Sequence, residues 1–132
     1  MKTKSPLRLF PLLLSFSFAA LVFVTGCTQV QVSPGVSGEY KVGELQVFAD
    51  SDFASVHAAA KKALKDVGLF ETRDDRKAIE AELNGRDATD TLVIVKLKEV
   101  GKDRTSVKIR YGVLKPDLAS AQKLYTAIQK RL

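Results

Sequence analysis

From Thr91 to Glu99 the chain places Val93, Val95 and Leu97 on one side of an extended backbone and Lys96 and Lys98 on the other. Successive strand side chains point to opposite faces, so this segment must form a strand with one wet and one buried face. Gly101-Lys102-Asp103 then turns the chain, and Val107, Ile109 and Tyr111 alternate with Lys108 and Arg110. Sliding the two segments by one residue would carry every apolar group to the wrong side. Leu97 is therefore expected opposite Val107, and Val95 opposite Ile109. A sheet with one apolar face needs a cover, and the sequence has to supply it.

Two segments with helical spacing can do so. Phe53, Val56, Ala60, Ala63, Leu64 and Val67 recur at steps of three and four. Asp50, Ser51 or Asp52 stands ready to cap the first turn, and Gly68-Leu69 closes the last one. Pro116 and Asp117 open a second helix, with Leu118, Ala121, Tyr125, Ile128 and Leu132 on its inner stripe and Lys130 and Arg131 at its end. Two further strands are expected. Tyr40, Val42, Leu45, Val47 and Ala49 alternate loosely from Glu39 to Phe48, and Ile79, Ala81 and Leu83 alternate with Glu80 and Glu82. Glu71 to Lys77 reads as a charged connector and Asn84 to Asp90 as a loop. The expected fold is α+β: a two-layer sandwich in the order β-α-β-β-β-α, with an antiparallel sheet of about four strands and both helices packed on one face. It forms a single domain over residues 39–132.

The N-terminus has a different character. Lys2, Lys4 and Arg8 precede an apolar run from Leu9 to Val24. Its sixteen residues fall short of the roughly 20 that span a bilayer, and a basic start with a short apolar middle describes a secretory signal. Val24-Thr25-Gly26-Cys27 resembles the lipobox of bacterial lipoproteins: an aliphatic residue, two small ones and a cysteine. The resemblance implies cleavage between Gly26 and Cys27, a diacylglycerol thioether on Cys27 and an acyl chain (palmitate, for example) on its new amine. Residues 1–26 are then the signal. Residues 27–38, with Ser33-Pro34-Gly35 and Ser37-Gly38, read as a lipidated tether or a lead-in strand. Cys27 is the chain's one cysteine, so lipidation leaves no thiol for a disulfide, a redox centre or a metal. By resemblance to lipoprotein sorting in diderm bacteria, Thr28 in the second mature position favours the periplasmic side of the outer membrane. The outer leaflet of the inner membrane is the alternative.

Removing residues 1–26 leaves 106 of 132 residues, enough for one modest core. Three of the 21 Lys and Arg leave with the signal, so 18 face 15 Asp and Glu and the balance falls from +6 to +3. That is too mild for a dedicated nucleic-acid binder. The chain from the lipobox onward is similar to a family of small bacterial lipoproteins described only as a domain of unknown function. The likeness rests on Tyr40 with Gly43-Glu44-Leu45, Ala59 to Gly68, Ile79-Glu80-Ala81, Val93 to Leu97, Thr105 to Gly112, Ile128 and Leu132. It implies fold and location and carries no activity.

A search for reactive groups is nearly empty. His57, the one histidine, sits beside the first helix's apolar stripe without cysteine or carboxylate at metal spacing. Asp74-Asp75 lies among Arg73, Arg76 and Lys77 and reads as a solvated loop. No serine sits in a nucleophile elbow, and Gly101 and Gly112 stand alone rather than in a phosphate loop. The outward sheet face carries more: Glu80, Glu82, Lys96, Lys98, Lys108 and Arg110, with Lys96 expected opposite both Glu80 and Lys108, and Ile94 opposite Arg110. Lys96, Lys98, Lys108, Arg110 and Ile94 are thus the candidate contact for an anionic envelope polymer or an envelope protein. The expected function is a membrane-anchored, non-catalytic binding or structural module, with no catalytic residue, no metal and no cofactor beyond the lipid. The alternative is a small envelope hydrolase or metal-dependent enzyme using His57 and the Asp74-Asp75 loop.

Overall fold

A computed structural model describes residues 28–132. The expected signal, its cleavage at Gly26 and the lipid site at Cys27 lie outside the described residues. Nine elements follow one another: β1 (Thr28–Ser33), β2 (Val36–Lys41), β3 (Glu44–Ala49), α1 (Phe53–Asp66), β4 (Phe70–Arg76), β5 (Glu80–Arg86), β6 (Leu92–Gly101), β7 (Arg104–Tyr111) and α2 (Leu118–Gln129). The strands form one antiparallel sheet in the order β1-β2-β3-β7-β6-β5-β4.

The expectation of about four strands is therefore overturned. The molecule is mostly sheet, with seven strands, and each of the three extra strands has a local cause. Residues 28–38, expected as a tether or a lead-in strand, supply β1 and the start of β2, which pair with each other. The segment expected as one strand from Glu39 to Phe48 is broken by a turn at Val42-Gly43, where both residues adopt positive φ (51° and 74°), the pattern of a type I′ hairpin. The charged connector Glu71 to Lys77 is largely the edge strand β4, every residue of which is exposed.

The core forms where sheet and helices meet. Leu45 and Val47 of β3, Leu83 of β5, Val93, Val95 and Leu97 of β6, and Val107 and Ile109 of β7 are all essentially inaccessible to water. They join Val56, Ala60, Ala63 and Leu64 of α1 and Leu124, Tyr125 and Ile128 of α2 in one cluster. The alanines of α1 let α2 approach closely, and each large side chain removed from water contributes about 1.5–3 kcal/mol. Leu97 pairs with Val107 and Val95 with Ile109, as the alternation predicts.

Caps account for the helix limits. Asp52 accepts from the Ser55 amide (3.0 Å) and Asp117 from the Ser120 amide (3.2 Å). Gly68 takes φ +78° after α1, and Leu69 N–H returns to the Leu64 carbonyl at 2.8 Å. Other expectations fail locally. Ile79 is 52 % exposed and precedes β5, and Leu132 is 47 % exposed beyond α2. Asn84 and Gly85 lie within β5 rather than in a loop, because they pair with Ile94 and Val93 of β6 on one side and with Arg73 and Glu71 of β4 on the other.

Candidate functional site

The face of the sheet away from the core is built by the outward residues of β3, β7, β6 and β5. Gln46 pairs with Lys108, Lys108 with Lys96 and Lys96 with Glu82; one row further on, Phe48 pairs with Ser106, Ser106 with Lys98 and Lys98 with Glu80. Lys96 thus faces Glu82, not the expected Glu80, because β5 and β6 pair two residues out of the expected step. Its predicted neighbour Lys108 is correct, as is Arg110 opposite Ile94. Two lysines directly across strands repel, and Glu82 on the far side offsets that cost.

The five predicted residues share this face without forming one compact site. Lys96, Lys98 and Lys108 line a groove of about 480 Å³ with Phe48, Val100, Glu80, Glu82 and Asp75. Arg110 and Ile94 lie nearer the opposite strand ends. Arg110 turns away to donate from Nη2 to the Val42 carbonyl at 2.9 Å. The groove is two-toned: Asp75, Glu80 and Glu82 on β4 and β5, with Lys77 between those strands near Glu80, and lysines on β6 and β7. Its apolar end was not legible as such. Phe48 is 45 % exposed between inward Val47 and Ala49, and Arg104 stacks on its ring at 4.6 Å. Strict alternation along β3 is the signal that would have placed it. Gln46 Nε2 donates to Ser106 Oγ across the floor at 3.3 Å.

A second constellation joins α1 to β4. His57 is buried, and its Nε2 lies 2.9 Å from Asp74 Oδ1; Lys61 Nζ donates to Asp74 Oδ2 at 2.7 Å and reaches Glu71 at 3.6 Å. The Lys61 hydrogen bond, followed by that of His57, holds the Asp74 carboxyl below its ordinary range. Arg76 stands over the Phe53 ring at 5.5 Å. Of the residues expected as a charged loop, Asp74 is brought to the histidine and Asp75 turns to Arg73 at 3.2 Å. Both oxygens of Asp74 are thus engaged. Among the described residues no three His, Cys, Asp or Glu side chains come together as a metal site.

A third cluster closes the loop after β5. Asp87 Oδ1 accepts from the Thr89 hydroxyl and the Thr89 and Thr91 amides at 2.7, 2.9 and 2.9 Å, and Oδ2 accepts from the Tyr111 hydroxyl at 3.1 Å. Led by the Thr89 hydroxyl, these donors lower the Asp87 pKa to about 2. Burial, then Asp87, pushes the Tyr111 phenol up. Three of these hydrogen bonds tie the loop to itself and the fourth ties it to β7, so the cluster is architectural.

Among the described residues no helix is long and apolar enough to cross a membrane. Compared with known proteins, the chain matches over residues 9–131 a family described as "Protein of unknown function (DUF3568)", and it belongs to that family. No curated protein matches it.

Proposed function

We propose that this member of the family is a lipoprotein of the cell envelope, cut after Gly26, acylated on Cys27 and acting as a non-catalytic binding or structural module. The observation that carries the reading is the position of the chain's one cysteine, directly after Val24-Thr25-Gly26 at the end of a basic-then-apolar leader. The family match opens at residue 9, so the matched span takes in the segment that holds the apolar run and Cys27. The outer membrane's periplasmic side is the proposed location, with the inner membrane's outer leaflet the alternative. Nucleic acid is not among the proposed partners. Three lysines along one wall of the open-face groove, with exposed Phe48 and Val100 at one end, suit an acidic envelope protein better than a uniformly anionic polymer, since the facing Glu80 and Glu82 would repel the latter.

Mass spectrometry of the mature protein tests the anchor: the expected product begins at residue 27 with three acyl chains, and a free thiol there removes the reading. Reversing Lys96, Lys98 and Lys108 to glutamate tests the face. Loss of the protein's cellular role with the fold intact is expected, and full retention would leave a structural role alone.

The His57–Asp74 contact at 2.9 Å favours a second reading, a small hydrolase with His57 as base and Asp74 as its orienting partner. Against it stands the sharing of Asp74 with Lys61, which makes the carboxylate a strut between helix and edge strand. His57→Gln that folds but fails to restore the role of the gene would favour the enzyme.

A further inference from the structure

We propose that the rim formed by the β2–β3 turn and the β7–α2 loop seats in the membrane surface, so that the domain is held against the lipid at a second point. This rests on the lipid anchor proposed above. Thr28 opens β1 and pairs with Tyr40, one residue before Lys41 and two before Val42. A chain carried by residue 27 leaves within about 3.8 Å of the Thr28 Cα, one peptide unit away. The sheet thus starts where the anchor would end, with no slack between them.

The groups found at that corner suit a bilayer interface. Val42 is 80 % exposed, Leu114 100 % and Val113 51 %. The two loops touch: Pro116 stands so close to Gly43 that a Cβ there would lie 2.5 Å from its ring. Arg110 holds the Val42 carbonyl from below. Val42 also has φ 51°, a conformation that β-branched residues avoid. A residue both strained and greasy in water signals a demand other than folding. Lys41 and Lys115, both exposed, flank the apolar tips where anionic headgroups would lie. Glu39, Glu44, Asp87 and Asp117 are the nearby acids; the Asp87 carboxylate is engaged by Thr89 and Tyr111, and that of Asp117 by Ser120 at 2.6 Å.

The test uses the full chain, processed by a bacterial host and reconstituted in vesicles of phosphatidylethanolamine and phosphatidylglycerol. An environment-sensitive fluorophore is placed at Leu114→Cys, and at Val100→Cys near the far end of β6 as control. The Leu114 label is expected to shift to the blue and to be quenched several-fold more than the Val100 label by nitroxides on the lipid acyl chains. Equal, solvent-like signals at both sites on protein whose Cys27 is acylated overturn the seating and leave the anchor standing. An unacylated Cys27 removes both. Protection of Leu114 in native membranes but not in pure lipid assigns the rim to a protein partner and overturns the proposal.

Discussion

Val42 is the residue whose presence the fold explains least. Asn in its place would form the Asn-Gly turn that such hairpins prefer, and a left-handed β-branched residue costs roughly 1–2 kcal/mol. Val42→Asn is therefore expected to raise the stability of the domain by about 1 kcal/mol in urea unfolding, while Gly43→Ala, driven against Pro116, should lower it. Asp87 gives a prediction of the opposite kind. Its folded pKa, about 2, lies below the ordinary 3.8. The stabilisation it brings is thus complete above about pH 4 and lost as the pH falls toward 2. Melting temperatures of the native chain and Asp87→Asn should differ at neutral pH and converge across that window. A gap that stays constant with pH would show that the charge contributes nothing.

Among the elements, β4 depends most on its side-chain attachments. It lies at the sheet edge with all seven residues exposed, and apart from β5 it is held to α1 by Asp74, shared between His57 and Lys61, by Glu71 near Lys61 and by Arg76 over the Phe53 ring. Asp74→Ala leaves the buried histidine without its partner and is expected to cost about 1–2 kcal/mol. Hydrogen exchange should rise first in the β4 amides and hardly at all in β6. Exposure also explains what could be read beforehand. The pairing of β6 with β7 was legible because each strand buries one face and so alternates with period two. β4 was not, because a strand wet on both faces has no alternation, and Phe70-Glu71-Thr72-Arg73 resembles a loop. β1 was hidden for a similar reason: of its residues only Val32 is buried. The β2–β3 turn was missed because valine stands where asparagine would have announced it. The candidate face was legible as a row of lysines, and the Phe48 end of its groove was not. The contact of His57 with Asp74 joins segments seventeen residues apart and leaves no local pattern.

At the scale of the whole molecule, the sheet is continuous from β1 to β4, and β1 is part of the fold rather than a lead to it. Ser33 Oγ donates to Gln129 of α2 at 2.8 Å, and Gln122 Nε2 donates to the Gln31 carbonyl at 3.0 Å. A chain lacking residues 28–35 is expected to unfold at a lower temperature than the mature protein, not merely to lose its attachment; equal melting temperatures would return the segment to the status of a linker. If the anchor is confirmed, this early start of the sheet sets the protein's range of action. Ten strand residues extend only about 33 Å, so whatever meets the lysine-lined groove must itself come down to the lipid. Such a protein waits at a surface and searches in two dimensions, with the bilayer deciding which of its sides a visitor can touch.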